Sequence, residues 1–174
     1  MKSTSSDVAF SPSVKDVQAE RGSRAAYARI EQRGGFETVI TDELRDFLAD
    51  IDTAFLATAS ADGQPYVQHR GGPRGFLRAL DDTTIGFVDF TGNKQFVTTG
   101  NLRENDRVCL LLMDYEHRRR VKVWGHARAV PATPALLERL LPGAGAGRVE
   151  QVILLAVTAW DVNCSKHIPR KLGA

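Results

Sequence analysis

The middle of the chain alternates between apolar and polar residues over short segments, which is the two-residue period of β-strands. Thr53–Ser60 leads into Ala61-Asp62-Gly63, and Gln64–Arg70 follows, so this stretch predicts a β-hairpin closed by a tight turn. Phe76–Leu80 precedes a second turn at Asp81-Asp82. The sequence predicts six strands in all. Two form the hairpin, and the other four are Thr84–Phe90, Arg107–Asp114, Arg119–Val130 and Gln151–Val162.

Helical patterns precede and separate these strands. From Pro12 to about Gln32, apolar residues are scattered among charges and Gly22-Ser23 interrupts the pattern, which predicts two short helices or a kink. Thr41 has the side chain of an N-cap, so we expect an amphipathic helix to begin there. Shorter helices are predicted at Asn93–Leu102 and Thr133–Leu141. The Ser-rich residues 1–11 are expected to be loosely ordered, and residues 142–147 to form a flexible loop.

The succession of strands and hairpin turns indicates a mainly β fold. The strand–helix–strand rhythm of a parallel sheet is missing, because short turns join the strands between residues 53 and 90. A closed or half-closed antiparallel barrel with short flanking helices accounts best for this order. We divide the chain into an N-terminal helical extension, residues 1–40, and a barrel domain, residues 41–174.

Composition restricts the classes of function. The chain has 174 residues, 43% of them hydrophobic, and a net charge of +2, which by itself is too weakly basic to indicate nucleic-acid binding. Cys109 and Cys164 lack CxxC partners, so we expect neither a disulfide framework nor a structural zinc site. The N-terminus has no apolar signal-peptide region and no apolar run could cross a bilayer, so the expected location is the cytoplasm.

One strand end combines polar side chains with glycines. The residues Gln68, His69, Arg70 and Gly71 end the second hairpin strand. Arginine binds phosphate through two parallel hydrogen bonds, histidine and glutamine can donate to the edge of a heterocycle, and glycine allows close approach to the backbone. A polar strand end that merely enters a loop has the same pattern, so the residues alone leave both interpretations open.

Gly92-Asn93-Lys94, just before a predicted helix, is a second such strand end. Backbone N–H groups, the helix dipole and the Lys94 ammonium could together surround one phosphate. An asparagine cap beside a solvated lysine explains the same residues. One shared anionic ligand requires Arg70 and Lys94 to lie close together, and this convergence is our main structural expectation.

Further candidates lie in the C-terminal half of the chain. Alternation places Arg120 and Lys122 on one face of a strand, where they could reach a bound anion or nucleic-acid phosphates. Gly125, later in the same strand, predicts a bulge or kink. Trp160 could stack on a flat ligand or belong to the core, and Cys164 has cationic neighbours but no recognisable base.

In combination, four segments resemble the pyridoxamine 5′-phosphate oxidase-like flavoproteins, the FMN-binding split-barrel group. The resemblance covers about residues 41–162 and is carried by Phe55–Gly72, Gly86–Lys94, Asn101–Leu112 and Arg119–Gly125. It implies a six-stranded antiparallel Greek-key split β-barrel that pairs into a homodimer, with FMN in the grooves between the subunits.

The resemblance also implies roles for individual residues. The family's contacts to flavin and phosphate fall here on Gln68, His69, Arg70, Gly71, Asp89, Asn93, Lys94, Arg120, Lys122 and Trp160, the last from the neighbouring subunit. No catalytic residue and no metal ligand is assigned. The chain ends in HIPRKLGA, without the segment that holds the substrate phosphate in the oxidase, so we expect FMN binding but not pyridoxamine phosphate oxidation.

Three functions follow for consideration. The first is an FMN-dependent oxidoreductase acting on an unidentified small molecule, with Arg120 and His69 stabilising the reduced flavin. The second is a non-catalytic binder or carrier of flavin, deazaflavin or haem. The third is a nucleic-acid module built on Arg118–Lys122, which the low net charge and the lack of an aromatic platform beside the arginines disfavour.

Overall fold

A computed structural model describes residues 3–141 and 147–171 of the chain. Within those ranges the strands are β1 Thr53–Ala59, β2 Pro65–Gly71, β3 Arg78–Ala79, β4 Thr84–Phe90, β5 Arg107–Asp114, β6 Arg119–Val130 and β7 Val149–Asn163. All pairings are antiparallel, and the order across the single sheet is β2-β1-β5-β6-β7-β4-β3. An ion pair joins Arg70 of β2 to Asp89 of β4, so the curved sheet closes partway into a barrel whose split lies between these strands.

The helices are short and lie around the sheet. In the same ranges they are a 3₁₀ helix Ser5–Val8, α1 Pro12–Glu20, α2 Arg24–Gln32, α3 Asp42–Asp50, α4 Val97–Glu104 and α5 Pro134–Leu140. The Thr41 hydroxyl accepts a hydrogen bond from the N–H of Leu44, and Thr133 accepts one from Leu136, so capping side chains set where α3 and α5 begin.

Strand alternation determines which residues fill the barrel. In β1, Ala54 and Leu56 are fully buried, whereas Phe55 and Ala57 point to the outward face of the sheet and are only half-buried. The same alternation in β5 and β6 and one face of α3 complete the core with Leu110, Leu112, Val121, Val123, Leu44, Phe47 and Leu48. A smaller apolar cluster forms where α5 packs near β4 and β7, with Val88, Leu140 and Val152 at its centre.

The long pairing of β6 with β7 contains a bulge. The register shifts between Trp124 and Gly125, so that Trp124 pairs with Ala159 and Gly125 with Val157. A Cβ atom at Gly125 would lie 2.1 Å from the carbonyl oxygen of Ala156, so the backbones approach too closely for any side chain. The predicted bulge or kink at Gly125 is confirmed.

The predicted architecture, a mainly β antiparallel fold with short helices, is confirmed, and so is the hairpin of β1 and β2. The predicted count of six strands is wrong, because Phe76–Leu80 contains the two-residue strand β3, held by two pairs with β4. The Ser-rich start is also more ordered than predicted, since the side chain of Asp7 caps the backbone N–H of Thr4 and Ser6 is buried. The predicted loop 142–147 falls mostly outside the described residues.

The N-terminal helices are joined to the barrel through aromatic rings. Phe10 contacts Tyr27 and Phe36 at centroid distances of 5.2 and 5.3 Å, and Phe36 stacks on Trp124 of β6 at 5.5 Å. The segment before β1 therefore covers part of the sheet's outward face. In the described part of the chain, no helix is both long and apolar enough to span a membrane.

Candidate functional site

An open cleft lies at the split of the barrel, between the inner side of β2, the end of β4 and the start of α4. Its lining includes Tyr66, Gln68, Arg70, Asp89, Asn93 and Lys94 and the residues from Gln95 to Thr99. The two polar strand ends that the sequence singles out thus face one cavity. Arg70 and Lys94 converge there, as expected.

Arg70 is the centre of the cleft's hydrogen-bond network. Its side chain is only 12% exposed and forms an ion pair with Asp89, whose side chain is 14% exposed. The same guanidinium donates to Gln68 Oε1 at 3.0 Å and to Thr98 Oγ1 at 3.1 Å. The Arg70 Nε is buried and has no partner among the described residues, so one donor remains free for another acceptor.

A second set of contacts fixes Asp89 from the other side. The Gln151 amide nitrogen of β7 donates to Asp89 Oδ2 at 2.9 Å and to Thr99 Oγ1 at 2.8 Å. The hydroxyl of Thr98 also donates to Gln68 Oε1 at 2.8 Å. Strand β2, strand β7 and helix α4 are therefore tied together through side chains around the cleft.

The start of α4 supplies positive potential to the cleft. Residues Phe96 to Thr99 line it, and the first N–H groups of an α-helix have no partners within the helix. Lys94 and Phe96 have positive φ angles of 59° and 53°, a left-handed conformation that bends the chain tightly before the helix. Asn93 stabilises this bend, because its side chain accepts a hydrogen bond from the N–H of Gln95 at 3.2 Å.

Charges in the cleft are balanced but unevenly placed. Arg70 is neutralised by Asp89, while Lys94 is exposed and forms no salt bridge within the described ranges. Glu150 also lines the cleft and accepts a hydrogen bond from the Thr91 hydroxyl at 3.1 Å. An anionic group would accordingly be favoured beside Lys94 and the start of α4 rather than beside Glu150.

The other predicted residues of β2 and β6 lie on the outward face of the sheet. His69 contacts the Phe55 ring edge-on at 5.6 Å, on the opposite side of β2 from Arg70. The strand register continues from Phe55 through Leu111 to Lys122, so His69 and Lys122 lie in one row. Three strand steps separate them, about 14 Å. Gly71 lies on this outward face next to the His69 ring.

Arg120 and Trp160 are placed differently from the cleft residues. Arg120 donates to the carbonyl oxygen of Cys164 at 3.1 Å, and its Nε is buried without a partner among the described residues. Trp160 is 4% exposed, packs in the main core and donates its Nε1–H to the Val39 carbonyl oxygen at 2.8 Å. Within one protomer neither residue lines the cleft, so their contacts with a cofactor stay predictions that involve a second subunit.

Sequence reasoning missed several residues of the cleft. Thr98 is hydrogen-bonded to Arg70 and Gln68, and Gln151 donates to Asp89 and to Thr99. All three missed residues lie inside a helix or a strand, where the pattern gives them no special role. Tyr66 carried a detectable signal, because it has the same strand parity as Gln68 and Arg70.

Two titratable groups lie near Lys122 on the outward face. Partial burial raises the pKa of Asp161, which pairs with Lys122 across β6 and β7, and the lysine charge offsets only part of that effect. Burial also raises the pKa of the Cys109 thiol, again with a smaller opposing effect of Lys122. Cys109 is therefore a protonated, half-buried thiol at neutral pH rather than a nucleophile.

Comparison with known proteins relates this architecture to one family. The family described as pyridoxamine 5′-phosphate oxidase matches residues 40–162, which include every strand from β1 to β6 and nearly all of β7. No curated protein matches the chain. The match includes all the residues named above as lining the cleft.

Solved structures share the fold. HupZ of Group A Streptococcus has 22% sequence identity and a TM-score of 0.54, with 77% of this chain and 99% of HupZ covered. A Lactobacillus delbrueckii protein described as a candidate pyridoxamine 5′-phosphate oxidase has 19% identity and a TM-score of 0.54, covering 72% and 95%. A conserved hypothetical protein of Mycobacterium tuberculosis has 21% identity and a TM-score of 0.50, covering 74% and 88%.

Proposed function

Because this chain belongs to the pyridoxamine 5′-phosphate oxidase family, we propose that it is an FMN-binding flavoprotein and an oxidoreductase for a small molecule. The two free cysteines, Cys109 and Cys164, fit a reducing compartment such as the cytoplasm.

The observation that carries the proposal is the convergence of Arg70 and Lys94 on one cleft. Two features of the cleft fit a phosphorylated cofactor. The buried Nε of Arg70 has no acceptor among the described residues, and the N-terminal end of α4 presents free N–H groups beside the unpaired ammonium of Lys94. A phosphate accepts hydrogen bonds from both types of donor.

Each cleft residue then has a defined role. Lys94, Asn93 and the start of α4 would hold the phosphate of FMN, and Gln68 and Asp89 would offer hydrogen-bonding groups to the rest of the cofactor. Arg70 positions Gln68 and Asp89 and adds a donor of its own. When bound, FMN supplies the hydride and electron transfer, and the protein supplies its position and surrounding charge.

The outward face supports a homodimer as part of the same proposal. Its residues Phe55, Ala57, Val67, Cys109, Leu111 and Met113 are apolar, and Val67 is 58% exposed in the single chain. Strand β2 carries Gln68 and Arg70 on its cleft side and His69 on its outward side. A second copy bound to the outward face would therefore lie against the strand that lines the cleft and would bring further residues close to it. In that dimer His69, Gly71, Arg120 and Lys122 would keep their predicted cofactor contacts, whereas Trp160 is buried in the core of its own protomer.

The test begins with the absorbance of the purified protein after incubation with FMN. Bound oxidised flavin gives bands near roughly 370 and 450 nm. The Lys94→Gln variant should bind FMN at least about tenfold more weakly, because a charge-assisted hydrogen bond to phosphate is lost. Arg103→Gln, an exposed arginine on α4 outside the cleft, is the matched control and should bind normally.

The alternative is a non-catalytic carrier of flavin, deazaflavin or haem. One measurement distinguishes this carrier from the oxidoreductase: the anaerobic reduction of the bound flavin by NADH or NADPH, followed by its reoxidation with electron acceptors. Bleaching of the flavin bands supports the oxidoreductase. A flavin that no donor reduces supports the carrier, and a protein that takes up no FMN contradicts the proposal altogether.

A further inference from the structure

A second concave surface lies away from the cleft, between α3, the edge strand β3 and α5. It is an open groove of about 870 Å³ and shares no lining residue with the cleft. Among the described residues, four arginines and no carboxylate line this groove, which we call the arginine groove: Arg45, Arg74, Arg78 and Arg139. Its apolar lining includes Leu48, Leu77 and Leu80.

Two of these arginines already have partners on the protein surface. Arg45 forms a salt bridge with Asp82 at 2.6 Å, so its charge is largely neutralised. Arg74 donates to the Asp50 carbonyl oxygen at 2.9 Å and lies 3.4 Å from the exposed Glu116. The surface pair with Glu116 is weak and leaves most of the Arg74 charge available.

The other two arginines have no carboxylate partner in the described part of the chain. Arg139 donates to the carbonyl oxygen of Leu80, which leaves its charge uncompensated. The side chain of Arg78 makes no hydrogen bond to any described residue, and its Nε is buried. A buried guanidinium nitrogen without an acceptor is costly, so it marks a place where an acceptor from outside the chain would be favourable.

The sheet register shows why Arg78 faces the groove. Arg78 pairs with Gly86, and side chains of directly paired residues point to the same face of a sheet. A Cβ atom at Gly86 would contact Leu80, Leu140 and Leu154, the apolar side chains beneath α5. Arg78 is therefore directed to the α5 side, toward Arg139, and not into the barrel.

From this arrangement we infer that the arginine groove binds a dianionic phosphate ester with an apolar body. Arg78, Arg139 and Arg74 supply charge for more than one negative oxygen, and guanidinium groups match the geometry of phosphate. Leu48, Leu77 and Leu80 give the apolar part of the ligand a surface on which to be buried. This site goes beyond the proposed FMN cleft and does not depend on it.

The test is isothermal titration of 1-naphthyl phosphate and of inorganic phosphate into the full chain saturated with FMN, so that the cleft is filled. We expect 1-naphthyl phosphate to bind more tightly than inorganic phosphate. Arg78→Gln should weaken its binding at least about tenfold, since a charge-assisted contact is lost. Arg78→Lys should retain part of the affinity, and Arg103→Gln, which lies outside both sites, should retain all of it.

Equal affinities of 1-naphthyl phosphate and inorganic phosphate would overturn the inference, because the apolar lining would then contribute nothing. Equal weakening by Arg78→Gln and Arg103→Gln would overturn it as well, since only overall charge would matter. If the protein takes up no FMN, the titration is repeated in the Lys94→Gln variant, in which the cleft is weakened, so failure of the proposed function and failure of this inference remain distinguishable.

Discussion

At the scale of single residues, the cleft depends on side chains that hold other side chains. Arg70 makes its contacts to Gln68, Asp89 and Thr98, and Thr98 is 3% exposed. Buried polar groups in such a network stabilise the fold only while all of them are satisfied. The network thus links the stability of the barrel's split to the geometry of the candidate binding site.

Replacing Thr98 by valine tests this link. Thr98→Val keeps the shape but removes the hydroxyl between Gln68 and Arg70, so the free energy of unfolding should fall by about 1–3 kcal/mol. FMN affinity should fall with it, because Arg70 is less well held. Urea denaturation and flavin titration measure the two effects. Thr38→Val, at an exposed position, is the control, and equal stability of the two variants would contradict the network's role.

The carboxyl group of Asp161 gives a prediction about pH. Burial raises its pKa in the folded state, so folding disfavours the charged form and stability declines as pH rises through that pKa. Asp161→Asn should therefore stabilise the protein at pH 7 by less than about 1 kcal/mol, since solvent screens the half-exposed group, and should change little at low pH.

The matched control for that pH effect has the opposite sign. The Ser60 hydroxyl donates to Asp62 and lowers the pKa of Asp62, so this carboxylate stabilises the fold at neutral pH and loses that effect on acidification. Asp62→Asn should thus lower stability at pH 7. Thermal unfolding between pH 3 and pH 8 compares both variants, and the same pH profile for both would show that burial is not the cause.

At the scale of secondary-structure elements, the bulge between β6 and β7 bends the longest strand pairing of the sheet. The register shift at Gly125 lets β6 pair with β5 on one edge and β7 on the other while the sheet curves. The Ala156 carbonyl occupies the space that a side chain at Gly125 would need. The close approach of β6 and β7 at this bulge therefore requires a glycine at position 125.

Two glycine-to-alanine substitutions compare the need for glycine at the bulge with the ordinary preference of a helix for alanine over glycine. Gly125→Ala should lower the free energy of unfolding by about 1–3 kcal/mol or more, because the added methyl overlaps the Ala156 oxygen. Gly100→Ala in α4 meets nothing within 4 Å and should raise stability by about 0.5–1 kcal/mol. Chemical denaturation measures both. A neutral Gly125→Ala would show that the two strands separate at no cost.

At the scale of the whole molecule, the outward face of the sheet has a covered part and an uncovered part. The N-terminal segment covers the outward face at Trp124 through Phe36, whereas the face around Phe55 and Leu111 is left half-buried. An apolar face of this kind favours association, and the proposed homodimer covers it. Assembly and cofactor binding would then depend on the same strand, β2.

A charge placed on the outward face tests the homodimer. Val67→Glu changes a side chain that is 58% exposed, so the single chain should fold normally while dimerisation weakens by an order of magnitude or more. Val39→Glu is the control. Val39 is 46% exposed and lies on the segment before β1, where its carbonyl oxygen accepts a hydrogen bond from Trp160. Sedimentation velocity measures the dimer fraction. A Val67→Glu protein that remains as dimeric as the control would exclude this face as the interface.

Much of the fold follows from local pattern. The hairpin of β1 and β2 and the caps at Thr41 and Thr133 each depend on residues within a few positions of one another, whereas the bulge at Gly125 is marked locally by a glycine but formed against β7. The two-residue strand β3 could not be recognised in this way, because its two pairs exist only where β4 lies beside it.

The sequence by itself determined six of the seven strands in the described residues, their alternation and the two polar strand ends that carry Arg70 and Lys94. Only the tertiary structure decided that Thr98, Thr99 and Gln151 complete the cleft and that Arg78 faces a separate groove with three other arginines. Strand and helix periodicity is a local property of the backbone, whereas the meeting of side chains from distant segments depends on how the sheet curves and closes.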